Sequence, residues 1–408
     1  MSIAITECGR SVNSHPMTAT LQSSNIPLED FFSAYYECRK HKRRTTSQME
    51  FELNMEENLI SLCEDVNSRR YDIGRSICFC ITRPKLREVF AASFRDRIVH
   101  HIIMQRLEPL FEAEFIDDNY NCRKGKGVLY GVERLRDKMN DITDHGREEA
   151  WIAKFDIRGF FMAIDKRILL ERLRSFIDGR YFGQDKYLLL WLVENVVTHE
   201  PQNNCTRKGD VSLWGNLSPS KSLFTCKPFC GLPIGNLTSQ NFGNFYLHEF
   251  DKMMTAEFGG YYGRYVDDFY IMSKDKNKIL EIVHRIREEL SAIGLTLHDD
   301  KVYVQRASHG VVFIGSVVKC GRIYSGSRTI DNMVSVILHY NNMCGSHKAS
   351  EIMSRLNSYL GFMRHTLSYA IRWKVLKMLN VDWWDYIQVN DNLTKVSLCQ
   401  KDSSIPIM

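Results

Sequence analysis

Residues 259–272 read Gly-Gly-Tyr-Tyr-Gly-Arg-Tyr-Val-Asp-Asp-Phe-Tyr-Ile-Met, an acidic pair inside an aromatic and aliphatic run. Such residues favour strands on both sides of Asp267 and Asp268, which predicts a β-hairpin with two carboxylates at its tip. Adjacent carboxylates repel each other, so a site that keeps them in apolar surroundings needs cations. The Asp-Asp pairs at 117–118 and 299–300 lie in polar sequence that is typical of solvated turns. The pair at 267–268 therefore predicts a divalent-metal site.

A third acid lies upstream, in the alternating stretch 151–157. If this stretch is a strand, one face carries Ile152, Lys154 and Asp156, and the more apolar face carries Trp151, Ala153, Phe155 and Ile157. A buried acid needs partners, and we predict that Asp156 meets the hairpin acids. Three carboxylates from neighbouring strands would bind two Mg²⁺ ions, one to activate a hydroxyl nucleophile and one to steady a leaving pyrophosphate. The alternative is a salt-bridged strand residue.

The bulk composition is that of a globular protein with a large core, because 44% of the 408 residues are hydrophobic. The net charge of +5 permits a nucleic-acid partner without requiring one. The longest apolar run, 187–193, is too short to span a membrane, and the N-terminus lacks the order of a secretion signal. We expect a cytoplasmic protein with no membrane partner.

Basic residues cluster at several places, among them 39–44, where a phosphate contact and a solvated basic helix end are equally supported. Arg83-Pro-Lys-Leu-Arg87 predicts a turn that presents cations to a triphosphate. The loop 123–127 carries Arg123, Lys124 and Lys126 and opens a helix at 128–139, which suits a phosphate, although a solvated loop is the alternative. After Ser325 we predict three helices, at 328–343, 349–364 and 367–389. This lobe would grip a duplex through Arg355, Arg364, Arg372, Lys374 and Lys377; an ordinary charged face is the alternative.

The remaining pattern predicts an α+β fold whose sheet gathers the carboxylates on one edge. Gly231-Leu-Pro-Ile-Gly235 precedes a helix that we expect Thr238 or Ser239 to cap. Further predicted helices cover 28–44, 49–66, 166–177, 184–198 and 276–293, and further strands cover 295–305 and 311–318.

Seven motifs occur in an order that resembles the reverse transcriptases, from about residue 70 to residue 325. They are Arg83-Pro-Lys-Leu-Arg-Glu, Phe94-Arg-Asp-Arg-Ile-Val, Phe155-Asp-Ile-Arg-Gly-Phe-Phe, Gly231-Leu-Pro-Ile-Gly with Ser239-Gln240, Tyr265-Val-Asp-Asp, Leu297-His-Asp-Asp-Lys301 and Phe313-Ile-Gly-Ser316. The resemblance implies a right-hand polymerase fold with fingers, an antiparallel palm sheet and a helical thumb.

The same resemblance divides the chain. It implies a flexible tail at 1–27, N-terminal helices and fingers at 28–125, palm at 126–165, fingers at 166–233 with a long loop at 199–230, palm at 234–326, thumb at 327–390 and a tail at 391–408.

Carried over by motif, the resemblance assigns roles to residues. Asp156, Asp267 and Asp268 would be catalytic and, with the backbone of Ile157, would bind two Mg²⁺ ions, with Mn²⁺ as a substitute. Phe161 matches an aromatic gate against the ribose 2′-hydroxyl. The nucleotide would also contact Lys85, Arg87, Ile234, Gly235, Gln240 and Lys301. The template and cDNA would contact Arg123, Lys124, Lys126, Arg355, Arg364 and Lys374.

One departure points to a subclass. Most of the family has Gln-Gly followed by Ser-Pro in the fourth motif, whereas this chain has Ile234-Gly235 followed by Ser239-Gln240. With the stretch from Trp214 to Lys221-Ser-Leu-Phe224 and the loop at 123–127, this resembles reverse transcriptases of diversity-generating retroelements. Those enzymes use dNTPs to copy a template-repeat RNA into cDNA with errors at adenines, together with a small basic oligomeric accessory protein. Ile234 can only pack against a nucleotide, whereas Gln could hydrogen-bond to it. The hydrogen bond that would help to discriminate against mispaired nucleotides is therefore missing.

Two alternatives stay open at this point. One is a reverse transcriptase of another bacterial class, such as a retron, group II intron or phage-defence enzyme; no maturase zinc region or endonuclease extension follows the thumb-like part, which disfavours the intron type. The other is a catalytically idle nucleic-acid-binding protein on this fold, against which the intact acids at 156, 267 and 268 argue.

Overall fold

The computed structural model describes residues 25–40, 45–82 and 85–399, so most of the predicted tail at 1–27, Arg83 and residues 400–408 lie outside the described part. The helices are α1 (Leu28–Arg39), α2 (Thr46–Glu52), α3 (Met55–Asn67), α4 (Phe94–Glu114), α5 (Val128–Ile142), α6 (Phe160–Ala163), α7 (Lys166–Arg180), α8 (Lys186–Thr198), α9 (Leu237–Tyr246), α10 (His248–Phe258), α11 (Lys276–Ala292), α12 (Ser327–Asn341), α13 (Ser346–Met363) and α14 (Tyr369–Leu376).

The strands form four sheets in the described part of the chain. They are β1 (Ser76–Ile81), β2 (Arg87–Ala91), β3 (Trp151–Asp156), β4 (Cys205–Lys208), β5 (Tyr262–Tyr265), β6 (Asp268–Ser273), β7 (Tyr303–Arg306), β8 (Val311–Phe313), β9 (Ser316–Lys319), β10 (Arg322–Ser325), β11 (Ile387–Val389) and β12 (Val396–Leu398).

The central sheet has the order β5-β6-β3-β7, with antiparallel neighbours. The predicted hairpin is confirmed, because β5 and β6 pair directly on either side of the acidic turn. On one face the rings of Phe155 and Phe269 stack with centroids 4.8 Å apart, in a core shared with α9, α10 and α11. On the other face Ile152 and Tyr270 pack against α5 and the β8–β10 sheet. Both faces are covered, which explains the nearly continuous apolar character of these strands.

A second sheet, in the order β2-β1-β4, lies on the N-terminal side of the chain. Strand β4 comes from the stretch 199–230 and pairs in parallel with β1. The predicted long loop is therefore partly built into this sheet and continues through three short 3₁₀ turns, at Val211–Asn216, Pro219–Lys221 and Leu223–Thr225.

The C-terminal lobe has its own core, built from α12, α13 and α14. The predicted helix over 367–389 is wrong beyond α14: a 3₁₀ turn at Val381–Asp385 and the β11–β12 hairpin follow, and the hairpin enters the predicted tail at 391–408. Tertiary contacts override the helical pattern there, because Trp383 is fully buried and the Asn380 N–H donates to Asn341 Oδ1 at 2.9 Å.

Other predicted bounds also need correction. The helix over 49–66 is two helices, α2 and α3, with Asn58 Nδ2 donating to Phe51 O across the break at 2.9 Å. Neither Thr238 nor Ser239 caps α9, which begins one residue earlier; Thr238 Oγ1 instead lies 2.7 Å from His100 Nδ1 on α4. The strand over 295–305 begins only at β7, and the one over 311–318 divides into β8 and β9 at a turn.

His100, which contacts Thr238, is buried, and this burial leads to a prediction about how the stability of the protein depends on pH. Burial lowers the pKa of His100 to about 4 from its ordinary value of 6.5, with Asp96 opposing the shift. Between these values the unfolded chain binds a proton that the folded chain does not, so stability is present above pH 6.5 and is lost as the pH falls. We expect about 2 kcal/mol of loss between pH 6.5 and 5. Urea unfolding of the protein and of His100→Asn checks this, because the variant should lose less; equal losses would contradict it.

Candidate active site

The β3–β6 pairing brings the acids together. Asp156 lies directly opposite Asp268, and the Ile157 N–H donates to the carbonyl oxygen of Asp267 at 3.1 Å. The expected meeting of Asp156 with the hairpin acids is therefore present in the structure. Asp156 is the last residue of β3, Asp268 is the first residue of β6, and Asp267 lies in the turn just before it.

A buried arginine holds the acidic turn in shape. Val266 has φ +59°, an uncommon backbone for a β-branched residue, and its carbonyl accepts from Arg264 Nη1 at 2.8 Å. Arg264 is fully buried, and its Nε donates to Asp251 Oδ1 at 2.7 Å. Breaking such a buried pair is costly, so Arg264 fixes the backbone immediately before the two acids. Sequence reasoning missed Arg264, although a lone arginine inside an aromatic strand was an available signal.

The acid cluster is electrostatically unfavourable without added cations. Burial raises the pKa of Asp267 to about 6, and the neighbouring carboxyls of Asp268 and Asp156 add to the rise. Burial also raises the pKa of Asp268, with Lys154 opposing and Asp156 adding. Close carboxylates in a dry site disfavour each other's ionised form, so a bound cation would be strongly favoured there.

Two lysines partly compensate the negative charge of the acid cluster. Lys301 Nζ donates to Asp156 Oδ1 at 2.7 Å. Lys154 Nζ lies 3.2 Å from Asp268 Oδ1, but the contact lacks hydrogen-bond geometry and this buried oxygen has no hydrogen-bond partner. The acids at 117–118, in contrast, are paired with Lys126, Arg134 and Lys138.

The residues present suit a divalent cation in their chemistry. Within the described ranges no three His, Cys, Asp or Glu side chains are already arranged to hold a metal ion. The opposed carboxyls of Asp156 and Asp268 and the raised pKa of Asp267 nevertheless form an oxygen-rich set with too little compensating positive charge, which is the kind of site that Mg²⁺ prefers. Lys301 and a bound metal ion would both be attracted to the Asp156 carboxyl.

The predicted triphosphate residues lie beside the acids. Partial burial lowers the pKa of Lys85, the like charges of Arg328 and Lys301 add to this, and Asp156 and Asp268 oppose it. The charge of Arg87 opposes the rise in the pKa of Asp267 that burial and the neighbouring acids cause. Three elements distant in sequence thus place positive charge around one acidic centre. Arg328, in the first turn of α12, adds a like charge near Lys85 and was missed by sequence reasoning because nothing local marks it.

Phe161 and Ile234 lie against one small apolar cluster that includes Phe90 and Leu223. The carbonyl of Phe161 accepts from the Leu232 N–H at 2.8 Å, and the carbonyl of Ile234 accepts from the Phe90 N–H at 2.8 Å. Gly235 has φ +122°, and a Cβ there would lie 2.6 Å from the carbonyl oxygen of Phe90, so only glycine fits. The aromatic-gate position and the fourth motif are therefore neighbours.

The predicted template contacts differ in their surroundings. The Arg123 side chain is buried: its Nη2 donates to Glu112 Oε2 at 2.8 Å and its Nη1 to the Asn119 carbonyl at 3.1 Å. This corrects the expectation of a template contact, because the guanidinium holds its own loop in place. Lys126 is paired with Asp117 at 2.8 Å, whereas Lys124 is exposed.

The other predicted contacts lie in α9 and the C-terminal lobe. Gln240 Oε1 is 3.5 Å from Asn121 Nδ2. Arg355 pairs with Glu351 at 3.2 Å, Arg364 Nε lies 2.9 Å from His365 Nε2, and Lys374 is exposed. Their contact with nucleotide or nucleic acid stays a prediction.

The structure has the right-hand polymerase fold. It combines an antiparallel sheet that carries the acids, a smaller sheet whose basic residues lie near them, and a helical lobe. Residues 82–318, more than half of the chain, match the family described as reverse transcriptase (RNA-dependent DNA polymerase). The chain belongs to this family, and all three acids lie inside the matched region.

Individual relatives are distant. Protein YkfC of Escherichia coli (strain K12) is 23% identical over 272 residues, which is 57% of this chain and 62% of that protein. Apo telomerase from Candida tropicalis, truncated from the C-terminal domain, aligns with a TM-score of 0.45 at 14% identity over 62% of this chain and 55% of its own. Telomerase from Candida albicans in complex with a TWJ fragment of telomeric RNA gives 0.40 at 14% identity, over 76% and 57%. This chain thus spans less than two thirds of each of these relatives.

None of the helices in the described ranges combines the length and the apolar character that crossing a membrane requires.

Proposed function

We propose that this chain is an RNA-directed DNA polymerase that uses Asp156, Asp267 and Asp268 to hold two Mg²⁺ ions, with Mn²⁺ as a substitute. The observation that carries the proposal is the register of β3 and β6, which sets Asp156 opposite Asp268 beside an acidic turn. When bound, the ions would supply activation of the primer hydroxyl and stabilisation of the leaving pyrophosphate. The carbonyl oxygen of Ile157 would complete the ligand set, and the bond from the Ile157 N–H to the Asp267 carbonyl keeps the two backbones together.

The chain's own cations would receive the nucleotide. Lys85 and Arg87 lie near the acids, so their charges suit a dNTP triphosphate. Lys301 and a metal ion would compete for Asp156, so metal binding would leave Lys301 available for phosphate. Template RNA and cDNA would contact exposed Lys124, together with Arg355, Arg364 and Lys374 of the lobe that we assign as thumb. The division into fingers, palm and thumb at the predicted bounds is part of this proposal.

We further propose that the enzyme serves a diversity-generating retroelement: it would copy a template-repeat RNA into adenine-mutagenic cDNA for diversification of a target gene, with a small basic accessory protein. The support is the fourth motif. Ile234 is anchored through its backbone to Phe90, and its side chain packs in the cluster next to Phe161. An apolar side chain at this position cannot hydrogen-bond to a nucleotide, so mismatches there meet no polar check.

Ile234→Gln tests the subclass. The new amide would offer hydrogen bonds beside the nucleotide, and one such bond of about 1 kcal/mol should reduce misincorporation opposite template adenine roughly fivefold. Sequencing of cDNA made on a primed RNA template measures the error spectrum. Ile234→Leu is the matched control, because it preserves the apolar packing and should keep the wild-type spectrum.

Equal error spectra for the wild-type protein and Ile234→Gln would remove the retroelement proposal. An active but accurate wild-type enzyme would favour a reverse transcriptase of the retron, group II intron or phage-defence kind. A wild-type protein that binds nucleic acid without extending a primer would favour the idle-binder alternative.

A further inference from the structure

The segment Trp214–Phe224, here called the docking loop, is anchored on one buried carboxylate. Glu88 Oε2 accepts from Trp214 Nε1 at 2.7 Å and from Ser222 Oγ at 2.8 Å, and Glu88 Oε1 accepts from the Leu223 N–H at 2.8 Å. Glu88 is 1% exposed. A buried carboxylate is tolerated only when its oxygens are hydrogen-bonded, so this three-way contact commits the loop to one position on β2.

Strand β2 connects Glu88 to the residues that we predict to contact the nucleotide. Glu88 directly follows Arg87, whose charge acts on Asp267. Two residues further along, the Phe90 N–H donates to the Ile234 carbonyl at 2.8 Å. One short strand therefore carries a cation for the acidic centre, the anchor of the docking loop and the backbone contact of the fourth motif.

The docking loop also packs against the segments that precede the predicted nucleotide contacts Phe161 and Ile234. A Cβ at Gly159, where φ is +57°, would lie 2.6 Å from the Ser220 carbonyl oxygen. A Cβ at Gly231, where φ is +103°, would lie 2.6 Å from Leu223 Cδ2. Gly159 stands two residues before Phe161, and Gly231 stands three before Ile234. The loop thus packs closely against the turns that lead into both residues.

An additional contact stabilises the outer side of the loop. Arg207 on β4 places its Cζ 4.0 Å from the centroid of the Phe224 ring and 5.5 Å from that of Trp214. The Phe224 ring in turn lies 5.8 Å from that of Phe90. Cation–π contacts of this kind stabilise the position of a segment that contains only short 3₁₀ turns.

We propose that Glu88 is a positioning residue for nucleotide selection. By fixing the docking loop against Gly159 and Gly231, it sets the spacing of Phe161 and Ile234, the two sides of the nucleotide pocket. Glu88 does not itself contact the reacting atoms. This inference rests on the proposed polymerase function, and it adds a residue that determines nucleotide specificity at the same site.

Single-donor variants give the sharpest test, because they leave Glu88 in place. Trp214→Phe keeps an aromatic ring and removes one donor, and Ser222→Ala removes another. For each variant we expect KM for dNTPs on a primed RNA template to rise about tenfold, with kcat within about twofold and an altered error spectrum, because loss of a bond to a charged acceptor loosens the loop. Purely structural damage would instead lower the active fraction and kcat.

A double-mutant cycle connects the effect to the carboxylate. Glu88→Gln combined with Trp214→Phe should raise KM no further than Glu88→Gln alone, because both changes break the same contact. Asp210→Asn is the matched control: Asp210 accepts from the Ser212 N–H at 2.9 Å, an Asn side chain keeps that acceptor, and wild-type kinetics are expected. Should Glu88→Gln not fold, the two single-donor variants decide the question.

Unchanged KM and error spectrum in folded Trp214→Phe and Ser222→Ala would overturn the positioning role while leaving the polymerase proposal intact. An inactive wild-type protein would overturn the polymerase proposal itself. The two failures are therefore distinguishable in one series of assays.

Discussion

Asp267→Ala is expected to reduce primer extension by at least about 10³-fold, because metal-assisted stabilisation of several kcal/mol depends on this carboxylate. Asp267 follows the Val266 turn that Arg264 fixes, and its raised pKa reflects burial beside two other acids. The measurement is the rate of dNTP incorporation by the purified variant on a primed RNA template with Mg²⁺.

The matched control is Asp300→Ala. Asp300 belongs to another Asp-Asp pair, but its side chain is 90% exposed and lies outside the acid cluster. It should extend primers at the wild-type rate. Retained Mg²⁺-dependent synthesis by Asp267→Ala would contradict the metal assignment.

Phe161→Ala is expected to increase incorporation of ribonucleotides relative to deoxyribonucleotides by about 10²-fold, the size of effect that steric discrimination in a pocket commonly provides. The Phe161 ring is held against Phe160, with centroids 5.2 Å apart, and lies close enough to Gly243 that a Cβ there would be 3.3 Å away. A ring fixed in this way can exclude a 2′-hydroxyl. Competition between paired rNTP and dNTP substrates gives the ratio.

Phe161→Tyr is the control for this prediction, because it keeps the ring and should keep the discrimination. An unchanged ratio in a folded, active Phe161→Ala enzyme would remove the gate assignment. It would leave the assignment of the acids untouched.

The sequence predicted the acidic centre well because each part had a local signal. Alternation placed Asp156 on a strand, aromatic flanks marked the hairpin at 267–268, and the need of a buried acid for partners predicted that they meet. The sequence did not predict the strand register. In the structure the pairing of β3 with β6 sets Asp156 directly opposite Asp268.

Other features of the site and of the fold depend on long-range contacts that no local sequence pattern reveals. Arg123 stands in a glycine-spaced basic loop typical of phosphate binding, yet Glu112 holds its guanidinium. Arg328, at the start of the C-terminal lobe, adds its charge to that of Lys301 around Lys85. Glu88 meets its donors more than a hundred residues downstream. In the lobe, burial of Trp383 overrides a sequence with helical periodicity.

The most direct test counts metal ions. Mn²⁺ binding to the purified chain with a primed RNA template and dNTP, followed by electron paramagnetic resonance, should show two ions per chain for the wild-type protein. Asp156→Asn and Asp268→Asn should each bind no more than one. Equal stoichiometry in all three proteins, or no bound ion in the wild type, would contradict the claim that these strands converge to form a metal centre.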